Sequence, residues 1–113
     1  MPFENVGFNF DPSHLHWQEA DYFAAVVRFR ERIFHVHAKD VYIYHDRKAV
    51  TGVLGDGWWR YVIPGYGEIH WGRFIEALRD INYSGAVSVE HEDRTFGPEE
   101  GFVKAHKTLS QFI

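Results

Sequence analysis

The chain has 113 residues, of which 12 are Lys or Arg, 16 are Asp or Glu, eight are His and none is Cys. Its length is that of one domain or part of one, residues 1–113, and a formal net charge of −4 without a basic run disfavours binding to nucleic acid. Because it contains neither a run of about 18 apolar residues nor a secretory signal, the sequence predicts no membrane contact and a cytoplasmic protein.

Three short apolar runs end on residues that can bind a metal ion. They are residues 6–11 (VGFNFD), 33–37 (IFHVH) and 86–90 (AVSVE), and we interpret each as a β-strand. Without cysteine, only His, Asp and Glu remain as strong metal ligands.

The side chains of a strand point alternately to its two faces. One face is small or polar and carries Gly7, Asn9, Asp11, Ile33, His35, His37, Ala86, Ser88 and Glu90. The other is apolar enough to pack under helices and carries Val6, Phe8, Phe10, Phe34, Val36, Ala38, Val87 and Val89. The three potential ligands therefore share the polar face, at the carboxyl ends of their strands.

Helices are predicted between and after these strands. Apolar residues near helical spacing predict a helix from about residue 17 to 32, and a clearer apolar stripe predicts one over 71–81. The last helix begins at Pro98, with Glu99 and Glu100 in its first turn, where negative charge suits the helix dipole. Strands separated by helices favour parallel pairing through right-handed crossovers.

The segment of residues 41–68 follows the second strand and is rich in aromatic residues and glycine. We interpret it as a long loop. In α/β proteins, long loops after the carboxyl end of a strand commonly serve a ligand.

Four segments carry a family resemblance: DPSHLHW, HVHAKD, WRYVIPGYGEIHWGRFIEAL and INYSGAVSVEHED. In this order they resemble the carboxyl-terminal part of the xylose-isomerase-like TIM barrels, the sugar phosphate isomerase/epimerase superfamily. The subgroup of ketose 3-epimerases and inositol-pathway isomerases and dehydratases is the most similar. The implied fold is α/β, a partial TIM barrel of three parallel strand-helix units that resemble the last three strands of a (β/α)8 barrel. A complete barrel needs about 250 residues.

The resemblance also implies a metal site. The family's divalent ion is typically held by Glu, Asp, His and Glu from four consecutive strands, and Asp11, His37 and Glu90 match the last three. The first Glu has no counterpart, so we expect an ion (Mn, Co, Mg or Zn) to bind weakly or not at all to the isolated chain. Glu90 also matches a catalytic acid/base carboxylate. Asp11 has an alternative role, because it precedes Pro12 and could cap the following turn.

Three further residues are candidates for substrate binding. His14 matches a family position that contacts substrate oxygens, with a surface loop histidine as the alternative. Lys39 could reach a substrate oxygen or form an ion pair with a neighbouring acid. Arg60 could bind a substrate phosphate or carboxylate, or it could stack on Trp58 or Trp59 in a structural role.

Two functions follow from the resemblance. The first is a metal-dependent isomerase or epimerase of a sugar, sugar phosphate or polyol, working by enediolate proton transfer, with dehydration of a cyclic polyol as a variant. Its site would be complete only in a longer protein or an assembly. The second is a catalytically inert, oligomeric barrel remnant or small-polyol binding module. Three strands leave open sheet edges, which predict a homo-oligomer in either case. An apurinic-site endonuclease of the same superfamily is disfavoured by the acidic charge.

Overall fold

The computed structural model describes residues 3–113. Within that range the chain forms five strands, five α-helices and one 3₁₀ turn, in the following order: β1 (Phe8–Phe10), α1 (Pro12–Trp17), α2 (Tyr22–Arg28), the 3₁₀ turn (Arg30–Arg32), β2 (Ile33–Ala38), β3 (Asp40–Ile43), α3 (His45–Thr51), β4 (Trp59–Val62), α4 (Trp71–Asp80), β5 (Val87–Val89) and α5 (Pro98–Leu109).

A three-stranded parallel sheet is the centre of the fold. Its strand order is β1-β2-β5, so β2 is paired on both sides. The predicted parallel strand-helix units are confirmed, and the three strands do not close into a barrel within residues 3–113. In the described part of the chain, β1 and β5 each keep one unpaired edge.

A bulge in β2 changes which residues are buried. Phe8 pairs with Ile33 and Asn9 pairs with His35, so Phe34 is an extra residue opposite β1. The prediction that Phe34 lies on the packed face is wrong, because its side chain is 49% exposed. Ile33, which strict alternation assigns to the polar face, is buried in the hydrophobic core for the same reason.

The predicted helix from residue 17 to 32 is wrong in its boundaries. Helix α1 starts earlier, and Glu19 then adopts a left-handed φ of 63°, which ends it. A new helix begins after Asp21, whose side chain accepts hydrogen bonds from the backbone N–H groups of Phe23 and Ala24. The apolar stripe of α4 is as predicted, since its core-facing residues are buried: Trp71, Phe74, Ile75 and Leu78. No helix within residues 3–113 is both long and apolar enough to cross a bilayer.

The segment predicted as a long loop contains an antiparallel hairpin and a helix. Strands β3 and β4 pair with Asp40 opposite Val62 and Val41 opposite Tyr61, and α3 lies between them. The sequences of the two strands, DVYI and WRYV, are rich in the β-branched and aromatic residues that favour strands. This hairpin brings Trp59 and Tyr61 of β4 against Trp17 and His14 of α1, at the carboxyl end of the parallel sheet.

A buried carboxylate holds the chain that leaves the hairpin. Asp40 is fully buried and its two oxygens accept five hydrogen bonds, from the backbone N–H groups of Val41, Gly65, Gly67 and Ile69 and from the indole N–H of Trp71. At Gly67 an added Cβ would lie 2.5 Å from Oδ1 of Asp40, so only glycine permits this approach. Burial disfavours the charged carboxylate more than these donors favour it, so the pKa of Asp40 is raised.

Candidate metal centre

Three potential ligands meet where the parallel strands end. Asp11 follows β1, His37 is the penultimate residue of β2, and Glu90 follows β5. Each offers one ligand atom, and these atoms all lie within 4.8 Å of one another. The sequence predicts this convergence, and the structure has it; the role of the three residues as metal ligands stays a prediction.

The two oxygens of Asp11 have different surroundings. Oδ1 accepts hydrogen bonds from the backbone N–H of Ser13 at 2.9 Å and from its hydroxyl at 2.6 Å, so Asp11 caps α1. Oδ2 is buried and has no hydrogen-bond partner among the described residues. A buried carboxylate oxygen without a hydrogen bond is costly, and a cation would compensate it. The capping role and the ligand role are therefore compatible.

His37 and Glu90 face each other across the strands. Nδ1 of His37 lies 2.9 Å from Oε2 of Glu90, and Nδ2 of Asn9 lies 3.2 Å from Nε2 of His37. If the amide of Asn9 donates to Nε2, the ring proton of neutral His37 is on Nδ1. Together with Asp11, His37 and Glu90 are the residues that would hold a divalent ion. An oxygen, nitrogen and oxygen donor set at this spacing fits a divalent ion such as Mn²⁺, Co²⁺, Mg²⁺ or Zn²⁺.

Lys39 is buried beside these ligands. Its side chain is 2% exposed, and Nζ lies 3.1 Å from Oε2 of Glu90, 2.9 Å from Oε1 of Glu92 and 3.4 Å from Oδ2 of Asp11. Burial opposes the ammonium form, but Glu92, Asp11 and Glu90 together outweigh it and raise the pKa of Lys39. The predicted ion pair with neighbouring acids is thus present, and a substrate contact by Lys39 stays a prediction.

The contacts among Lys39, Glu92 and Glu90 also change the pKa of Glu90. Burial opposes ionisation of Glu90, but its interactions with Glu92, Lys39 and His37 together lower its pKa. Glu90 therefore stays an ionised carboxylate at neutral pH, which both a ligand and a general base require.

His14 lies at the rim of the cluster. Its Nε2 is 3.2 Å from Nζ of Lys39, and its Nδ1 is 3.0 Å from the hydroxyl of Tyr61. Tyr61 also accepts a hydrogen bond from the indole of Trp17 and lies under Nζ of Lys39, 4.1 Å from ring centre to ammonium. Tyr61 comes from β4, so it could not be found while that segment was interpreted as a loop.

Arg60 is adjacent to Tyr61, and alternation along β4 turns it to the opposite face. Its Nη1 lies 3.3 Å from Oδ1 of the buried Asp93, and its Nε donates to the hydroxyl of Tyr44 at 3.0 Å. The guanidinium stacks over Tyr42, at 5.6 Å from the ring centre, in place of the predicted tryptophans. Binding of a substrate anion by Arg60 stays a prediction.

A second histidine and carboxylate cluster was not anticipated from the sequence. Oε1 of Glu68 lies 2.9 Å from Nε2 of His16, and Oε2 contacts Nε2 of His45. Burial opposes ionisation of Glu68, but its bonds with the two histidines lower its pKa. The three side chains join α1, the start of α3 and the segment before α4 on one side of the hairpin.

The chain is similar to proteins of known family. The family model described as "xylose isomerase-like TIM barrel" matches residues 2–112. A xylose isomerase domain protein from Planctomyces limnophilus has the same fold, with a TM-score of 0.75, 21% identity, and coverage of 99% of this chain but 36% of that chain.

Relatives by sequence include proteins with and without an assigned activity. The uncharacterized protein YfiH of Bacillus subtilis is 38% identical over 96% of this chain and 38% of its own length. The inosose dehydratase of Clostridium perfringens is 27% identical over 90% of this chain and 36% of its length. The rhizopine catabolism protein MocC of Rhizobium meliloti is 35% identical over 79% of this chain and 29% of its length. The chain thus spans well under half the length of these relatives.

Proposed function

Because the chain belongs to the xylose isomerase-like TIM barrel family, we propose that it carries part of the site of a divalent-metal-dependent isomerase or epimerase. The substrate class is a sugar, a sugar phosphate or a polyol, with dehydration of a cyclic polyol as a variant. The observation that supports this most is the convergence of Asp11, His37 and Glu90 within 4.8 Å. The relative named as an inosose dehydratase favours the cyclic polyol.

The three residues would hold the ion, and Glu90 would also act as the base. A bound divalent ion would supply the positive charge that stabilises the enediolate oxygens formed from the substrate. Oδ2 of Asp11 and Nδ1 of His37 would hold it together with Glu90. Glu90, ionised at neutral pH, would remove a proton from the carbon next to the substrate carbonyl, and the second acid/base group would deliver the proton that completes an epimerisation.

The surrounding side chains would position the substrate. His14 is about half exposed at the rim, where its imidazole can contact substrate oxygens. Lys39 is almost fully buried, so it would have to move before its ammonium could reach a substrate. Arg60 is partly exposed and would bind a substrate phosphate or carboxylate only by sharing its guanidinium with Asp93.

This chain alone offers three ligands and one acid/base carboxylate. The fourth ligand and the second acid/base group expected from the family would come from the rest of a longer polypeptide or from another copy. The alternative is an inert, oligomeric barrel remnant or small-polyol binding module. The unpaired edges of β1 and β5 within residues 3–113 fit either function, because open edges recruit further strands.

Metal titration followed by calorimetry separates the two functions. We expect Mn²⁺ or Co²⁺ to bind the wild-type chain weakly, at one site, and to bind Asp11→Asn and Glu90→Gln at least about tenfold more weakly still, since each loses a charged ligand. The matched control is Asp56→Asn, because Asp56 is exposed in the turn before β4. Binding that is absent, or equal in all four proteins, would favour the inert module.

A further inference from the structure

We propose that the ammonium of Lys39 competes with a divalent ion for the oxygens of Asp11 and Glu90, so that ion binding requires Lys39 to withdraw. The inference rests on the proposed metal function and adds a means of regulating that site: the chain supplies its own cation, and a divalent ion must exchange with it.

The first support is that Lys39 shares oxygens with the proposed ion. Oε2 of Glu90 is 2.9 Å from Nδ1 of His37 and 3.1 Å from Nζ of Lys39. Oδ2 of Asp11 is 3.4 Å from the same Nζ, close enough for an ion pair, yet it receives no hydrogen bond from any described residue. One ammonium thus lies between two of the three proposed ligands without satisfying both.

The second support is electrostatic. Three carboxylates, those of Asp11, Glu90 and Glu92, face the single ammonium of Lys39, which leaves the cluster with an excess of negative charge. A divalent ion between Asp11 and Glu90 would bring a second cation close to Nζ. Because Lys39 is only 2% exposed, water would screen that repulsion poorly.

The third support is that Lys39 has another partner to move to. Its shortest contact is with Oε1 of Glu92, at 2.9 Å, and Glu92 is not one of the three converging ligands. The side chain of Glu92 is 45% exposed, so a Lys39–Glu92 pair can shift toward solvent. Lys39 would keep a counterion there while Asp11 and Glu90 turn to the entering ion.

The decisive variant is Lys39→Met, which keeps much of the side-chain length and removes the charge. We expect Mn²⁺ to bind Lys39→Met about tenfold or more tightly than it binds the wild-type chain, because a nearby positive charge is removed. The control Lys107→Met removes a cation from the exposed side of α5 and should leave the dissociation constant unchanged.

The outcomes separate this inference from the proposed function. If Mn²⁺ binds the wild-type chain but binds Lys39→Met equally or more weakly, the competition is wrong and the metal function stands. If Mn²⁺ binds neither protein at millimolar concentration, the competition is wrong and the inert module is favoured.

A second measurement uses the wild-type chain and does not depend on how Lys39→Met folds. Acetylation by the N-hydroxysuccinimide ester of acetic acid, followed by mass spectrometry of peptides, reports how accessible each lysine is. Lys39 should react slowly without Mn²⁺ and several-fold faster with saturating Mn²⁺, while exposed Lys107 reacts at one rate throughout. Acetylation of Lys39 that stays equally slow in saturating Mn²⁺ would overturn the proposed withdrawal.

Discussion

Nδ1 of His37 lies 2.9 Å from Oε2 of Glu90, although 52 residues of chain separate them. The contact follows from the parallel pairing of β2 and β5, in which His37 is opposite Ser88. Glu90 lies beyond the last paired residue, and its backbone N–H continues the ladder by donating to the carbonyl of Ala38 at 3.2 Å. Strand pairing therefore aligns an imidazole with a carboxylate at the end of the sheet.

The cap of α2 gives a stability prediction. Asp21→Ala removes the oxygen that accepts hydrogen bonds from Phe23 at 2.9 Å and Ala24 at 3.1 Å. We expect the free energy of unfolding to fall by about 1 kcal/mol, measured by urea denaturation. Asp21→Asn, which retains an acceptor oxygen, should lose much less. An equal loss in both variants would show that charge, and not capping, is what Asp21 contributes.

Substitution of Asp40 should lower the free energy of unfolding more than substitution of Asp21 does. Asp40→Asn replaces one acceptor oxygen by an NH₂ group that faces at least two N–H donors, so we expect a loss of about 3 kcal/mol or more in the free energy of unfolding. Amide hydrogen exchange should quicken at Gly65, Gly67 and Ile69. The control is Asp80→Asn, at the exposed end of α4. Unchanged exchange at those amides would show that Asp40 does not hold this segment in place.

The lowered pKa of Glu68 predicts that the stability of the fold depends on pH. Burial opposes its ionisation, but hydrogen bonds with His16 and His45 lower its pKa below the ordinary 4.5. A lowered pKa in the folded state means that the ionised form stabilises the fold above pH 4.5, and that this stabilisation is lost as pH falls through the folded-state pKa. Wild type should therefore be more stable than Glu68→Gln near neutral pH, and this difference in unfolding free energy should close in acid. A gap that widens in acid would contradict the direction of the shift.

Self-association through the open edge of β1 is a further prediction. Phe8 is 37% exposed beside this edge, and its ring lies 4.9 Å from that of Phe29. Sedimentation velocity should show concentration-dependent oligomers that Phe8→Lys weakens, because a charge on an edge strand disfavours strand pairing. Phe102→Lys, on the exposed side of α5, is the control. A monomer at all concentrations, or equal weakening by both variants, would contradict pairing at β1.

The fold could be predicted from the sequence best in the three parallel strands, where the local sequence pattern and the overall fold favour the same structure. The runs that end at Asp11, His37 and Glu90 form the three parallel strands of the sheet. These strands could be predicted because β-propensity, the helical spacing between the runs and the family resemblance all favoured the same arrangement. The convergence of their terminal side chains then followed from parallel pairing alone. The bulge at Phe34 could not be predicted, since it depends on how β1 meets β2.

The hairpin could have been predicted in part. The strand signal of DVYI and WRYV was present, but 15 residues with α3 separate the two runs, so they lacked the short turn that identifies a hairpin. Without the hairpin, the contacts of Tyr61 with His14 and Lys39 could not be predicted either. The cluster around Glu68 was hidden for the same reason, because its three members meet only when the hairpin folds onto α1.

Asp40 directly follows Lys39, and its five hydrogen bonds fix the backbone at the point where the lysine side chain leaves it. Withdrawal of the ammonium would then rely on rotation about the side-chain bonds of Lys39 and not on movement of its backbone. Cation exchange would therefore need no lid to open.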